Sequence, residues 1–156
     1  MDDSFTQRLL VDLKSADEST RQWATRELWR QWFYQKGEVG FAQIERSQAL
    51  LEEGNVSQAK VILCELIRAE PDFAEAWNRR AVLYFSQKDY PKAIADCREV
   101  LALNPVHFGA LNGLGLCYAA TGDYRAAISS FRRALEIQPY SLENQRMILE
   151  CTRLLS

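Results

Sequence analysis

The sequence predicts an all-α chain: a right-handed α-α superhelix of about nine antiparallel helices. Three observations carry that reading. The prolines Pro71, Pro105 and Pro139 stand 34 residues apart. Small and apolar residues recur at the same spacing: Ser47, Ala81 and Gly115; Ala59, Ala93 and Ala127; Leu63, Cys97 and Phe131; Leu66, Val100 and Ala134. Polar turns punctuate the units at Gly54–Asn55, Lys88–Asp89 and Gly122–Asp123. A fixed period of this length marks stacked supersecondary units, each burying its apolar face against the next.

Taken in order, residues 1–39 predict a helical hairpin. "SFTQRLLVDLKS" reads as a short helix and "ADES" as a turn, with Asp17 or Ser19 as the cap. "TRQWATRELWRQWFYQK" reads as a longer helix, with Trp23, Leu28, Trp29, Trp32 and Phe33 on a bulky apolar face. Two expectations stand side by side. Stepping back 34 residues from Leu63 and Leu66 reaches Trp29 and Trp32, as in a decayed copy of the repeat. "LLVDLKSADESTRQWATREL" also resembles a HEAT-like hairpin. Either way the hairpin is expected to stack on the first repeat. Arg26, Trp29, Arg30 and Trp32 are candidates for self-association, tryptophan and arginine being enriched in interface hot spots. The alternative use of these aromatics is to seal the open end of the stack.

Residues 40–73, 74–107 and 108–141 are three repeat units. In each, a first helix of about 14 residues meets a turn, and in the first and third units Gly54 and Gly122 can take the left-handed conformation that ends a helix. Asn55, Asp89 or Asp123 then caps the second helix, which proline terminates. Small residues facing each other (Ser47, Ala81 and Gly115 opposite Ala59, Ala93 and Ala127) let the paired helices approach closely. Residues 142–156 begin a fourth unit with one helix only. Glu143, Arg146, Glu150 and Arg153 are expected to give this capping helix a polar outer face.

"LNGLGLCYAATGDYRAAISSFRRALEIQP", "WNRRAVLYFSQKDYPKAIADCREVLALNP" and, less fully, "QIERSQALLEEGNVSQAKVILCELIRAEP" resemble the tetratricopeptide repeat, with its order W, L-G, Y, A, F, A, P. "ATRELWRQWF" and "PDFAEAWNRRAVLY" also resemble segments of small bacterial and cyanobacterial repeat proteins. The resemblance implies a non-catalytic protein–protein interaction module, with first helices lining a concave groove. It places Phe41, Ile44, Gln48 and Leu51 on that face, then Glu75, Asn78, Val82 and Phe85, then Gly109, Asn112, Leu116 and Ala119, with Glu143, Arg146 and Glu150 beyond. A protein or peptide partner, helical or extended, would offer backbone groups to Asn78 and Asn112 and apolar side chains to Phe41, Phe85 and Leu116. Some relatives grip chaperone C-terminal carboxylates with lysine, arginine and asparagine. No register of this sequence supplies that basic set, so a carboxylate clamp is not expected. The alternative function is a scaffold that dimerises through the tryptophan-rich hairpin.

Arg79 and Arg80 interrupt the first helix of the middle unit. Arg80 aligns with Arg46 and is expected to be scaffold, its stem on the hairpin and its head in water. Arg79, beside Asn78, is the candidate contact, for a carboxylate from a partner or from Glu45 or Glu75.

Charge and motif content exclude other classes. A net charge of −2 without a basic cluster argues against a nucleic-acid partner. No window is long and apolar enough for a membrane span, and the two aspartates at the N-terminus are wrong for a signal peptide. Cys64, Cys97, Cys117 and Cys151 form no CxxC pair and read as free thiols of a reducing, cytoplasmic compartment. The single histidine, His107, has no ligand set around it, and "GLGLC" lacks the third glycine and the strand of a dinucleotide loop. No enzyme activity, cofactor or metal is expected.

Overall fold

Nine α-helices run through residues 3–155, the part of the chain described by the computed structural model. They are α1 (Asp3–Asp12), α2 (Glu18–Phe33), α3 (Gly37–Glu52), α4 (Val56–Ala69), α5 (Ala74–Ser86), α6 (Tyr90–Leu103), α7 (Phe108–Ala120), α8 (Tyr124–Ile137) and α9 (Leu142–Leu155). Helices α3 to α8 form three antiparallel pairs, and α9 packs on α8. No strand occurs among the described residues.

Local chemistry sets each pair. Gly54 and Gly122 take φ of 86° and 83°, closing α3 and α7 in the left-handed region that glycine enters without a Cβ clash. In the middle unit Lys88 holds the same place at φ 60°. Asp89 and Asp123 then cap α6 and α8, accepting the amides of Lys92 and Ala126, whereas Asn55 makes no side-chain capping bond. Asp17 caps α2 through the Thr20 amide and hydroxyl. The small positions are buried as the register requires. At Gly115 a Cβ would lie 2.6 Å from a Phe131 ring carbon, so only glycine permits this approach of α7 and α8.

Arg80 corrects one expectation. Its head does not reach into water. One guanidinium edge, Nε and Nη2, bonds both oxygens of the buried Asp96 carboxylate on α6, at 2.8 and 2.9 Å, between the rings of Trp77 and Tyr84, and Nη1 meets the Cys64 sulfur at 3.6 Å. Asp96 and its hydrogen bonds push the Arg80 pKa further up. The bidentate geometry satisfies a carboxylate that burial would otherwise penalise. Arg80 is therefore a strut that ties α5 to α6.

The larger correction concerns the hairpin. It does not stack on the first repeat as a further unit. Instead α2 runs across the edge of the superhelix where successive units join. Its N-terminal turn meets the α8–α9 corner, with the Arg21 guanidinium 4.0 Å from the Tyr140 ring centre. Its middle meets the α6–α7 corner, where Trp32 stacks on His107 at 4.3 Å and packs on Phe108. Past its C-terminus, Gln35 and Lys36 reach the α4–α5 corner: Gln35 donates to the Asp72 carbonyl and Lys36 pairs with Asp72 and Glu70. Trp29 and Trp32 therefore do not fill the places that Leu63 and Leu66 fill in α4. Leu9, Leu13, Ala24 and Leu28 form a separate small core between α1 and α2, to which Trp32 and Phe108 add.

On α9, Asn144 and Cys151 face inward while Glu143, Arg146, Glu150 and Arg153 face outward. Leu142 and Leu149 share the outer side at 75% and 72% exposure, so it is not wholly polar.

Candidate functional site

The concave face is built from the first helix of each unit: α3, α5, α7 and α9. Because α2 crosses their N-terminal ends, the face divides into a covered rim and an open centre.

At the rim lies a buried polar node. Glu75 is fully buried. One carboxylate oxygen accepts from Asn78 at 3.1 Å and Arg79 at 2.9 Å; the other meets His107 Nε2 at 2.9 Å. His107 Nδ1 accepts the Ala110 amide at 3.0 Å and so caps α7. That bond places the ring proton on Nε2, which donates to Glu75. Burial alone would raise the Glu75 pKa, but the hydrogen bond from His107, the charge of Arg79 and the Asn78 bond outweigh it. The carboxyl is held below its ordinary range. Over this node lies the aromatic face of α2. Arg79 sits 4.9 Å from the Phe33 ring centre and 6.0 Å from that of Trp29. Trp29 also covers Gly109, where a Cβ would come within 2.5 Å of the indole.

The open centre holds a cavity of about 260 Å³ between α5 and α7. Val82, Phe85 and Leu116 supply apolar walls, Gly109 and Gly113 leave the α7 side bare, Cys97 and Cys117 lie at the floor, and Asn78 and Asn112 flank it. Val82 and Phe85 are 45% and 37% exposed although their helix is otherwise well packed. Asn112 donates to the Asn144 side-chain oxygen Oδ1 at 2.8 Å, which fixes its amide plane beside the cavity. Burial pushes the Cys97 thiol up to about 12 and the Cys117 thiol up to about 11. Both are protonated at neutral pH and serve as apolar floor.

The structure thus brings together Asn78, Val82, Phe85, Asn112 and Leu116. It draws Glu75 and Arg79 into the node. Ile44 turns into the core of the α3–α4 pair, and Phe41 lies against Tyr34, with ring centres 4.3 Å apart. Gln48 stays exposed, 3.4 Å from Glu52. Trp29 and Trp32 face the chain's own repeats, Trp32 being 7% exposed, while Arg26 and Arg30 face solvent. Sequence reasoning missed His107 as a cap and carboxylate partner, and Gly113 as the bare wall. Two glycines four residues apart inside one predicted helix were the available signal, since helix interiors disfavour glycine. Among the described residues no group of three His, Cys, Asp or Glu could hold a metal ion, and no helix is long and apolar enough to cross a membrane.

Antiparallel helix pairs that stack into a superhelix with a side-chain-lined concave face define the helical-repeat scaffolds. Residues 72–139 match the tetratricopeptide repeat family model. The chain is similar to bacterial and eukaryotic proteins that carry such repeats. A TPR repeat-containing protein of Rhizobium etli is 36% identical over 98 residues, 63% of this chain. The chain spans about half the length of that relative, with 48% of it covered. The first TPR of Spaghetti (RPAP3), solved bound to the HSP90 peptide SRMEEVD, superposes with a TM-score of 0.70 at 23% identity, covering 73% of this chain and 90% of that one. The second TPR domain of human RPAP3, solved with the HSP70 peptide SGPTIEEVD, does so at 0.66 and 20% identity, covering 70% and 92%.

These complexes overturn the exclusion of chaperone tails. That exclusion considered only side chains at fixed places in the repeats. Two proteins that share the fold were solved with the peptides SRMEEVD and SGPTIEEVD, and in this chain cations outside the repeats lie along the same edge. Arg21 and Arg26 of α2 line a cleft of about 480 Å³ with Gln138, Tyr140 and Ser141.

Proposed function

We propose that the chain is a non-catalytic docking module that receives a peptide segment of another protein on its concave face. The segment is extended or helical and inserts an apolar side chain between α5 and α7. The observation that carries this reading is the half-open apolar cavity flanked by Asn78 and Asn112. Its volume suits one leucine, methionine or phenylalanine side chain. Asn112, which is only partly buried, offers its side-chain amide to a peptide backbone, while Asn78 is buried and bonded to Glu75. Acid-ended tails such as those bound by the structural neighbours belong among the candidates. The four free cysteines support a reducing, cytoplasmic setting.

The test compares the wild-type chain with Gly113→Leu and with Val82→Ala/Phe85→Ala. Gly113 tolerates a side chain, because a Cβ there meets only the Cys97 sulfur, at 3.5 Å. Leucine would extend into the cavity while leaving the helices in place. Fluorescence anisotropy with SRMEEVD and with peptides eluted from a proteome pull-down should show binding to wild type and at least about a tenfold loss in either variant. Equal binding by wild type and Gly113→Leu would place the site elsewhere.

A further inference from the structure

We infer that the rim of the superhelix is a second docking site, distinct from the central cavity. In this chain α2 occupies it in cis. The partner it fits is an amphipathic helix of another protein that carries two large aromatic rings three residues apart and a cation one further turn on.

The occupant seated there defines the chemistry. Trp29 fills the space above Gly109, and Trp32 stacks on His107 and Phe108. Lys36 meets Asp72 and Glu70 at 2.8 and 3.3 Å. The strip therefore presents a bare glycine, two ring faces and an acidic end. Aromatic and cationic groups are complementary to it.

Four features make the occupant exchangeable. Every hydrogen-bond partner of buried Glu75 comes from the repeats: Asn78, Arg79 and His107. Lifting α2 leaves no unpaired buried charge behind, so the floor of the strip persists without it. Leu9, Leu13, Ala24 and Leu28 pack α1 on α2, with Phe108 and Ile137 of the repeats at the edge of this cluster, so the two helices of the hairpin are held together chiefly by their own side chains. The hairpin joins α3 through the short turn Tyr34–Lys36, followed by Gly37 at φ 70°, a position where the backbone can pivot. The ion pair at that end is exposed and contributes little to holding it.

A helix tethered through so short a turn is present at an effective concentration on the order of millimolar. A partner helix at micromolar concentration competes only when the cis contact is weakened. The strip thus works as a gated site, and the gate is the hairpin.

The experiment uses the full chain and, as probe, a fluorescein-labelled synthetic peptide of residues 17–36. Wild type should bind it weakly. Trp29→Ala/Trp32→Ala, and separately Lys36→Glu, weaken the cis contact without touching the strip. The tryptophan double variant should bind the probe at least about tenfold more tightly, and Lys36→Glu, which replaces a weak ion pair by repulsion from Asp72 and Glu70, about threefold more tightly. Adding Gly109→Leu to either variant should remove the gain, while Phe85→Ala, in the central cavity, should not. Lys36→Glu guards against a tryptophan variant that fails to fold, and circular dichroism confirms helicity in each. No gain in a variant that keeps its helicity, or a gain that survives Gly109→Leu, overturns the proposal. Dimerisation of the variants by light scattering would assign the strip to a second copy's hairpin and overturn the partner assignment. Probe binding that persists when no ligand is found for the cavity would separate this site from the proposed function.

Discussion

Trp29 holds the space that a side chain at position 109 would need. A Cβ on Gly109 would lie 2.5 Å from the far edge of the indole and 3.0 Å from its neighbouring carbon. Gly109→Ala tests this contact with the helix preference working the other way, since alanine is favoured over glycine in a helix, by less than about 1 kcal/mol in the first turn of α7. Any loosening must therefore come from displacement of the indole. Hydrogen exchange should quicken in α1 and α2 and stay unchanged in α5 to α8. Tryptophan emission should shift to the red. Unchanged exchange together with a higher melting temperature would mean that Trp29 merely rests on Gly109.

That contact also marks where the sequence stops being readable. The three units were legible because each position repeats and each unit touches mainly its neighbours, so register alone predicts that Ala59, Ala93 and Ala127 are buried. The hairpin was legible as two helices with an apolar face. What that face covers was not, because periodicity reports an amphipathic helix without naming its partner. Pairing Trp29 with Gly109 depends on the path of a chain that crosses two complete repeats. The groove was half legible. Val82, Phe85, Asn112 and Leu116 line one cavity between α5 and α7. Glu75 does not face a ligand, because His107 and Arg79 converge on it and α2 covers them. Ile44 shows the same limit: an isoleucine at a place where the next units carry asparagine goes into the core.

Asp96 is the residue on which the α5–α6 pair depends most. It is 4% exposed and accepts two hydrogen bonds from Arg80, one on each carboxylate oxygen. Arg80→Met removes the partner and leaves a buried carboxylate, at a cost of about 3–5 kcal/mol. Urea unfolding of Arg80→Met, Asp96→Leu and the double variant would measure the coupling. The double variant should be closer to wild type than Arg80→Met, since no charge remains buried. Additive losses would show that the pair is not coupled.

Glu75 predicts an acid-sensitive component of stability. Its pKa is lowered from the ordinary value of 4.5, so the unfolded chain binds a proton more readily than the folded one. The stabilisation is complete above the ordinary value and is lost as pH falls through the lower folded value. At pH 7, Glu75→Gln should be less stable by about 3 kcal/mol, as expected for breaking a buried charge network. The gap should narrow steadily in unfolding curves taken below pH 4.5. A gap that stayed constant into strong acid would mean that the ionised carboxylate is not what stabilises the node.

Lys88 carries a strain that the other two units avoid. It stands at φ 60°, where Gly54 and Gly122 hold 86° and 83°. A side chain in the left-handed region brings its Cβ close to a carbonyl oxygen, at roughly 1–2 kcal/mol per residue. Glycine relieves that clash and gives back part of the gain through the entropy of the unfolded chain. The Lys88 side chain is exposed, so no packing is lost. Lys88→Gly should therefore stabilise the fold by about 0.5–1 kcal/mol, a rise of roughly 2–4 °C in Tm per kcal/mol for a chain of this size. Lys88→Ala isolates the backbone effect, because it removes the charge and keeps the Cβ; its melting temperature should stay within about a degree of wild type. Were alanine to stabilise as much as glycine, the gain would come from the lysine charge and not from the turn.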